Sequence, residues 1–238
     1  MKQELLKALN KNRAGSRPVA VATLLDTGEQ WLIDNESDGG AAEKVTALAR
    51  VAMAEDKSQV VEFGSSTLFL QVHSPPLRMV IVGAVHIAQS LSVMAAEVGY
   101  DVTVIDPRGA FATEVRFPNI NISNEWPDEA LQNIKLDSRT AIVTLTHDPK
   151  LDDAALQVAL SSEAFYIGSL GSKKTHGARL RRLERLGFEK TILDRISGPA
   201  GLPIGAKSPA EIAVAILAEA TRARRVVPLP SESQGGEK

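Results

Sequence analysis

The chain has 238 residues, with 27 Lys and Arg against 29 Asp and Glu, and 44% of its residues are hydrophobic. This length suffices for one or two domains with a full core, and a net charge of -2 disfavours a nucleic-acid binder that works by overall electrostatic attraction. The absence of cysteine excludes disulfides, thiolate metal ligands and a cysteine nucleophile. No window is long and apolar enough for a membrane span, and residues 1–4 lead into a charged segment, so we expect a cytoplasmic protein without a signal peptide.

The first 76 residues predict a small α+β domain. Two segments show apolar residues at helical spacing, the first with Leu5, Leu6 and Leu9 on one face, and four β-rich runs are separated by turn residues. In chain order the predicted elements are a helix over 2–10, strands Val19–Leu25 and Gln30–Ile33, a helix over 41–55, and strands Val60–Phe63 and Thr67–Val72. The segment His73–Pro76 ends this domain, because each proline restricts itself and the residue before it.

Residues 77–225 predict a Rossmann-like domain. Strands and helices alternate there, which is typical of a doubly wound parallel sheet with helices on both faces. The predicted elements are strand Arg78–Val82, helix 86–98, strands Val102–Ile105 and Ala141–Leu145, helix 151–160, strand Ala164–Ile167, and helices 174–186 and 208–224. Residues 226–238 lack an apolar period and predict a disordered tail.

The turn after strand 78–82 is the first candidate ligand site. Gly83, Ala84, Val85 and His86 stand where a dinucleotide-binding turn joins a strand to a helix, and Asp106 follows the next strand near the separation expected of a ribose-binding carboxylate. Val85 replaces the second glycine of that motif, so we expect its β-branched side chain to obstruct ordinary NAD(P) binding. Two interpretations stay open: a cofactor-binding turn, and a Rossmann-like turn that binds nothing.

Further polar groups follow neighbouring strands. Arg108 stands two residues after Asp106 and either binds a phosphate in bidentate fashion or pairs with that carboxylate. His147 and Asp148 follow strand 141–145, at the edge where open α/β sheets bind ligands. His147 is a candidate cofactor-binding residue, whereas Asp148 favours a capping role for the next helix over acid–base chemistry.

A glycine-rich turn after strand 164–167 is the second and stronger candidate. Gly168, Gly171, Ser172 and Lys173 lead into a helix, so converging backbone N–H groups, a hydroxyl and an ammonium predict an anion site.

The helix after this turn is rich in positive charge. Residues 168–195 carry eight basic and three acidic residues, although the whole chain is nearly neutral. Leu180, Leu183 and Leu186 predict the buried stripe, which would put the basic residues on the outer face. A solvated helix surface and an anion-binding surface both fit this pattern.

The last part of the domain favours structure over catalysis. Residues 195–206 form a long Gly/Pro-rich loop of the kind that is usually functional, and Ser208 with Glu211 predicts a capping box. The chain has no Gly-x-Ser-x-Gly elbow, and its four histidines lack metal-ligand spacing, so we expect no catalytic residue and no metal site.

These motifs together resemble the XdhC/CoxI family of accessory factors for molybdenum hydroxylases such as xanthine dehydrogenase. The resemblance covers roughly residues 77–225 and implies a Rossmann-like C-terminal domain that binds, protects or matures molybdenum cofactor before its insertion into an apo-enzyme, without hydride transfer. The motifs that carry it are Gly83–Ala88, Asp106-Pro107-Arg108, Thr146-His147-Asp148, Tyr166–Lys174, Pro199–Ala206 and Ser208–Ala213.

The chain departs from the family pattern in its first domain, which also looks shortened. Family members usually carry Gly-Gly-Cys-x-Glu there, with a thiol thought to contact the cofactor, whereas residues 39–43 read Gly-Gly-Ala-Ala-Glu. Ala41 at the cysteine position puts direct molybdenum ligation and sulfur handling in doubt.

The resemblance therefore predicts a maturation chaperone for a molybdenum hydroxylase, and favours this over an enzyme. Its expected cargo is molybdenum cofactor, as molybdopterin or its cytosine dinucleotide form, and its expected partner is the apo-hydroxylase; other maturation proteins and a homodimer stay open. Two alternatives remain, an NAD(P)-dependent oxidoreductase and a target-binding scaffold with a vestigial nucleotide pocket.

Overall fold

The chain divides into two compact units, the first ending at Pro75 and the second beginning at Pro76. The computed structural model describes residues 3–15 and 17–225, so the predicted tail over 226–238 lies outside the described residues. In these ranges no helix is long and apolar enough to cross a membrane.

The first unit is a four-stranded antiparallel sheet with helices. Its strand order is β2-β1-β4-β3. The elements are α1 (Gln3–Ala14), β1 (Val19–Leu24), β2 (Gln30–Ile33), α2 (Glu43–Glu55), β3 (Gln59–Phe63) and β4 (Ser66–His73). All six predicted elements are present.

The strand period of two gives this sheet two buried faces. Ala20 and Ala22 of β1 pack with α2 in one cluster, whereas Val19 and Val21 pack with Leu9 of α1 in another. Of the three leucines predicted on one face of α1, Leu9 is buried and Leu5 packs against this cluster, whereas Leu6 is 45% exposed.

The second unit is a six-stranded parallel sheet in the order β10-β9-β8-β5-β6-β7. Counted from β5, this is the 3-2-1-4-5-6 order of the doubly wound dinucleotide-binding fold. The elements are β5 (Leu77–Val82), α3 (His86–Glu97), β6 (Tyr100–Ile105), β7 (Asn121–Ser123), α4 (Pro127–Asn133), β8 (Thr140–Thr144), α5 (Pro149–Leu160), β9 (Tyr166–Ser169), α6 (Lys173–Arg185), α7 (Lys190–Leu193), β10 (Ile196–Ser197) and α8 (Pro209–Arg225).

Helices cover both faces of the sheet, as the alternating pattern predicts. Met79 and Ile81 of β5 pack in the cluster that includes α3 and α8, and Val80 and Val82 pack in the cluster that includes α4, α5 and α6. The side-chain alternation of one strand thus fills two separate cores.

Four short elements of this unit lie outside the sequence prediction: β7, α4, α7 and β10. The two strands have three and two residues and lie at the sheet edges, so they give almost no period to detect. Leu186, predicted to lie in the buried stripe of α6, is 57% exposed because the helix ends at Arg185.

Candidate functional site

The parallel order brings three loops together at the carboxyl edge of the sheet. β5 pairs with β6 on one side and with β8 on the other, and this is the point where the strand order reverses. Backbone hydrogen bonds continue the pairing into the loops, from Gly83 N to Ile105 O (2.8 Å) and from Leu145 N to Val82 O (2.8 Å). Open α/β sheets bind their ligands at such a switch point.

Gly83 permits the sharp turn between β5 and α3. Its φ is +110°, in a region that side chains disfavour. A Cβ atom there would lie 2.7 Å from Thr146 Cγ2 and 3.1 Å from Thr146 N. The turn after β5 and the turn after β8 therefore touch, and only a glycine fits between them.

Val85 and His86 open α3 without a side-chain cap. Val85 is the N-cap residue with an extended φ of -90°, and none of the described side chains hydrogen-bonds to the end of this helix as a cap. The first N–H groups of a helix have no partner inside it and carry partial positive charge. His86 is exposed, whereas Val85 is half-buried and packs partly against the core. This end of α3 can accept an anion.

Asp106 and Arg108 form an ion pair beside this helix end. Asp106 is fully buried and accepts hydrogen bonds from Ala84 N (2.8 Å), Arg108 N (3.0 Å), Arg108 Nε (2.9 Å) and Arg108 Nη2 (2.7 Å). Burial would raise the pKa of Asp106, but the hydrogen bonds from Arg108 and Ala84 outweigh it and hold that pKa below its usual value.

Of the two interpretations of Arg108, pairing with Asp106 is thus the one observed, although the Arg108 side chain remains 41% exposed. Both carboxylate oxygens of Asp106 are already hydrogen-bonded, so a ribose hydroxyl would have to compete with Arg108. Arg108, fixed by this contact, keeps an exposed cationic face beside the end of α3.

A second arginine, which the sequence did not single out, supports the same turn. Arg116 Nη1 donates to Ala84 O (2.9 Å) and to Phe111 O (2.6 Å), and Arg116 Nη2 donates to Gln89 Oε1 (3.3 Å). The 47% exposed ring of Phe111 lies 4.8 Å from the guanidinium carbon of Arg108 and 6.0 Å from that of Arg116. The sequence signal that could have identified this group is a phenylalanine, Phe111, between two arginines of the same loop.

The turn after β8 is held by its own side chains. Asp148 caps α5, accepting a hydrogen bond from Lys150 N (2.9 Å), as predicted. His147 is exposed and has a φ of +61°, a left-handed conformation that histidine adopts more readily than most residues. His147 therefore stands at the carboxyl edge next to the Gly83 turn.

The turn after β9 lies two strands from β5, roughly 10 Å away. Ser172 caps α6, accepting a hydrogen bond from Thr175 N (3.1 Å), and its hydroxyl also lies 3.0 Å from Thr175 Oγ1. Gly168 is buried where a Cβ would meet the Tyr166 hydroxyl at 2.6 Å, and Gly171 has a φ of +145°. Lys173 is exposed at the first position of the helix.

The predicted basic surface of α6 is neutralised in part. Arg181 and Arg185 are exposed as expected, whereas the expectation that the basic residues face outward is wrong for Arg179. Arg179 is 1% exposed, its Nη2 donates to Leu170 O (2.8 Å) and lies 3.7 Å from Asp152 Oδ2. Arg182 makes a two-pronged contact with Asp153 at 2.5 and 2.9 Å. The carboxylates of α5, outside the segment whose charge was counted, supply the compensating charge.

Asp152 and Arg179 form a buried pair below the β8 and β9 turns. Asp152 accepts hydrogen bonds from Thr146 Oγ1 (2.6 Å) and Thr146 N (3.2 Å), and burial raises its pKa. Burial lowers the pKa of Arg179, and among the described residues its Nε and Nη1 have no hydrogen-bond partner. Arg179 precedes Leu183 by four residues, so helical spacing could have placed it on the buried face.

The long loop over 195–206 is fixed by α8. Glu219 accepts hydrogen bonds from the Tyr166 hydroxyl (2.6 Å) and from Gly201 N (2.8 Å). At the start of α8, Glu211 accepts from Ser208 N (2.8 Å) and Ser208 Oγ from Glu211 N (3.3 Å), which confirms the predicted capping box. Within residues 3–15 and 17–225, no group of three or more His, Asp or Glu side chains is arranged to hold a metal ion.

Fold and site define the class: a Rossmann domain whose switch point presents an open helix end and an anchored arginine, preceded in the chain by a small antiparallel unit. Residues 79–220 match the family described as the XdhC Rossmann domain, and the chain belongs to this family.

Curated relatives agree with this assignment. The chain is 31% identical over 164 residues to a protein of Bacillus subtilis (strain 168) named as a probable xanthine dehydrogenase subunit, covering 68% of this chain and 48% of that protein. It is 31% identical over 150 residues to the molybdenum cofactor insertion chaperone PaoD of Escherichia coli (strain K12), covering 63% of this chain and 41% of that protein. The chain thus spans less than half the length of these curated relatives.

A solved structure shares the fold. The crystal structure described as a xanthine dehydrogenase from Bacillus halodurans superimposes with a TM-score of 0.57 at 20% identity, covering 91% of this chain and 93% of that chain. At this identity the likeness establishes the fold.

Proposed function

We propose that this chain is a cytoplasmic maturation factor for a molybdenum hydroxylase of the xanthine dehydrogenase or CO dehydrogenase type. It binds molybdenum cofactor, as molybdopterin or its cytosine dinucleotide form, as cargo for delivery to the apo-enzyme. The names of its relatives, an insertion chaperone and a xanthine dehydrogenase subunit, support this class of role.

The observation that carries the proposal is the uncapped end of α3 beside Arg108. Molybdopterin and its dinucleotide form carry phosphate, and an open helix N-terminus with an adjacent arginine suits phosphate. We assign phosphate contact to the N–H groups of Val85 and His86 and to Arg108. Gly83 and Ala84 shape the turn, and Asp106 holds Arg108 in place.

The remaining predicted residues extend the site along the same edge. His147 lies beside the Gly83 turn, and the turn comprising Gly168, Gly171, Ser172 and Lys173 forms the farther wall. Lys173 adds an exposed positive charge there, while Ser172 already caps its own helix. We therefore expect a secondary electrostatic contribution from this wall.

The first unit offers no thiolate to the cargo. Ala41 stands at the cysteine position of the family pattern, and its methyl group packs partly against the core of that unit. We propose that this chain holds the pterin and phosphate parts of its cargo and leaves the molybdenum without a thiolate ligand from the protein.

The role proposed here does not require hydride transfer. An NAD(P)-dependent enzyme of this fold uses the acidic residue after its second strand for the ribose, and Asp106 is committed to Arg108 and Ala84 instead. This commitment favours the chaperone over the oxidoreductase.

A reconstitution experiment tests the proposal. Anaerobically prepared molybdenum cofactor is mixed with the purified chain, and the complex is added to an apo-form of a molybdenum hydroxylase from the same organism. The proposal predicts cofactor retention on gel filtration and a faster gain of hydroxylase activity than with free cofactor. Titration with NAD(H) in parallel distinguishes the alternative: tight NAD(H) binding without cofactor retention would contradict the proposal.

A further inference from the structure

The loop after β6 carries an aromatic ring that the fold does not use for its core. Phe111 is 47% exposed, whereas Phe117, six residues further along the same loop, is 1% exposed and packs in the core. Burial of an aromatic side chain stabilises a fold strongly, whereas the Phe111 ring stays half exposed beside the candidate ligand site and packs against the guanidinium of Arg108.

The backbone of Phe111 is held at both of its polar groups. Its N–H donates to Arg108 O (2.8 Å), and its carbonyl accepts from Arg116 Nη1 (2.6 Å). The same Nη1 atom donates to Ala84 O (2.9 Å), so one nitrogen joins the Phe111 loop to the turn that begins α3. The ring is therefore fixed next to the helix end to which phosphate binding is assigned.

The surroundings of the ring are cationic and planar. The guanidinium of Arg108 lies 4.8 Å from the ring centroid and is itself held by the buried Asp106 carboxylate. Aromatic rings and arginine planes are the side chains on which nucleobases and similar heterocycles stack. The adjacent uncapped helix end suits an anion rather than an apolar partner.

We propose that Phe111, with Arg108 beside it, is the stacking platform for the planar heteroaromatic ring of a phosphate-bearing ligand. Arg116 is the positioning residue that keeps the platform against the α3 turn. This inference rests on the proposed function and deepens it, since it assigns the ring and the phosphate to separate contacts. The heteroaromatic ring is either the pterin or the nucleobase of the cargo.

Binding measurements on the full chain test the platform with three probes: molybdopterin, cytidine monophosphate and inorganic phosphate. Anaerobic equilibrium dialysis gives the Kd of each. Phe111→Ala and Phe111→Leu are expected to weaken binding of molybdopterin, cytidine monophosphate or both by about tenfold or more, while binding of phosphate stays unchanged. Phe111→Tyr keeps the ring and is expected to restore binding.

Val115→Ala is the matched control, because Val115 is 93% exposed in the same loop and has no ring to stack. Its Kd values should equal those of the wild type. The platform would be overturned if Phe111→Ala and Phe111→Leu bound both ring-bearing probes as tightly as the wild type. It would also be overturned if these variants bound inorganic phosphate more weakly by the same factor as the ring-bearing probes.

The probes also separate the two proposals. A wild-type chain that binds cytidine monophosphate through Phe111 but does not bind molybdopterin or activate the apo-hydroxylase would support the platform and contradict the maturation role. If the wild type activates the apo-hydroxylase and Phe111→Ala binds both ring-bearing probes as tightly as the wild type, the maturation role is supported and the platform is contradicted. A wild type that binds neither molybdopterin nor cytidine monophosphate would overturn both the platform and the maturation role.

Discussion

The turn after β5 and the turn after β9 look alike in sequence and differ in how their polar groups are satisfied. Both join a strand of the parallel sheet to a helix at the same edge. The helix after β9 is capped by Ser172, and two of its arginines, Arg179 and Arg182, are paired with Asp152 and Asp153. The helix after β5 has no side-chain cap among the described residues, and Arg108 beside it stays partly exposed.

This difference teaches that local charge density is a poor guide to a binding site. The β9 turn precedes the most basic segment of the chain, yet two arginines of that segment, Arg179 and Arg182, pair with carboxylates of α5. The β5 turn has little charge in its own sequence, and it gains Arg108 and Arg116 from the loop after the neighbouring strand. We therefore propose the main anion contact at the β5 turn and a weaker one at the β9 turn.

The largest expected effect tests the structural role of the charges near the β9 turn. Asp152→Ala removes the partner of the buried Arg179 and should lower the free energy of unfolding by about 3–5 kcal/mol. Urea unfolding measures it, with Asp153→Ala as the control, since its partner Arg182 is partly exposed and the cost should be about 1 kcal/mol. Equal costs for the two variants would contradict a buried role for Asp152.

The glycines of the two turns give the next effect. Gly83→Ala should cost about 2–3 kcal/mol of unfolding free energy, because its φ is positive and the new Cβ would lie 2.7 Å from a side-chain atom and 3.1 Å from a backbone atom of Thr146. Gly171→Ala has the same kind of strain, but its Cβ would come no closer than 3.1 Å to any atom, and that neighbour is the Thr175 side chain, so the cost should be about 1 kcal/mol. A larger loss for Gly171→Ala in urea unfolding would contradict the tighter packing of the β5 turn.

The carboxylates beneath the two turns should respond to pH with opposite signs. The folded-state pKa of Asp106 lies below the usual 3.8, so its contribution to stability is present above pH 3.8 and is lost as the pH falls through the lower value. Burial raises the pKa of Asp152, so the wild type loses part of the stability that it has below pH 3.8 as the pH rises through the higher value. The contacts of Asp152 with Thr146 and Arg179 supply the contribution that remains above that value.

Unfolding free energies of Asp106→Asn and Asp152→Asn across the acid range measure this contrast. The deficit of Asp106→Asn relative to the wild type should shrink toward low pH, whereas that of Asp152→Asn should grow. Parallel pH dependences for the two variants would show that the carboxylates occupy equivalent environments, contrary to the structure.

The smallest expected effect concerns Lys173. Its ammonium is exposed at the start of a helix that already has a cap, so Lys173→Gln should weaken binding of molybdopterin by less than about threefold at physiological salt. Equilibrium dialysis measures this change. A tenfold loss would move the main anion contact back to the β9 turn.

The sequence predicts much of this architecture because the relevant signals are local. Alternating apolar strands and amphipathic helices predict the Rossmann-like unit, and Asp148, Ser208 and Glu211 cap helices as their positions indicate. The distribution of charge is not local. Arg179 and Arg182 find their carboxylates on α5, some thirty residues earlier in the chain, and no pattern within α6 reveals those partners.

The candidate site, too, depends on contacts that the sequence does not reveal. The sequence identifies Gly83 and Asp106 by motif, and leaves open whether Arg108 binds a ligand or pairs with Asp106, because both follow from the same spacing. Phe111 and Arg116 come close to the β5 turn because β6 lies beside β5, which brings their loop against that turn. Tertiary contact, rather than composition, defines that part of the edge.

One measurement tests the central claim most directly: the Kd of molybdopterin for Arg108→Gln and Lys173→Gln, which each remove one positive charge from opposite ends of the candidate site. Thermal unfolding first establishes that both variants are folded at the temperature of the binding experiment. If the β5 turn is the main anion contact, Arg108→Gln should raise the Kd at least tenfold, and Lys173→Gln should change it by less than about threefold. The opposite order, with Lys173→Gln weakening binding more than Arg108→Gln, would contradict this account.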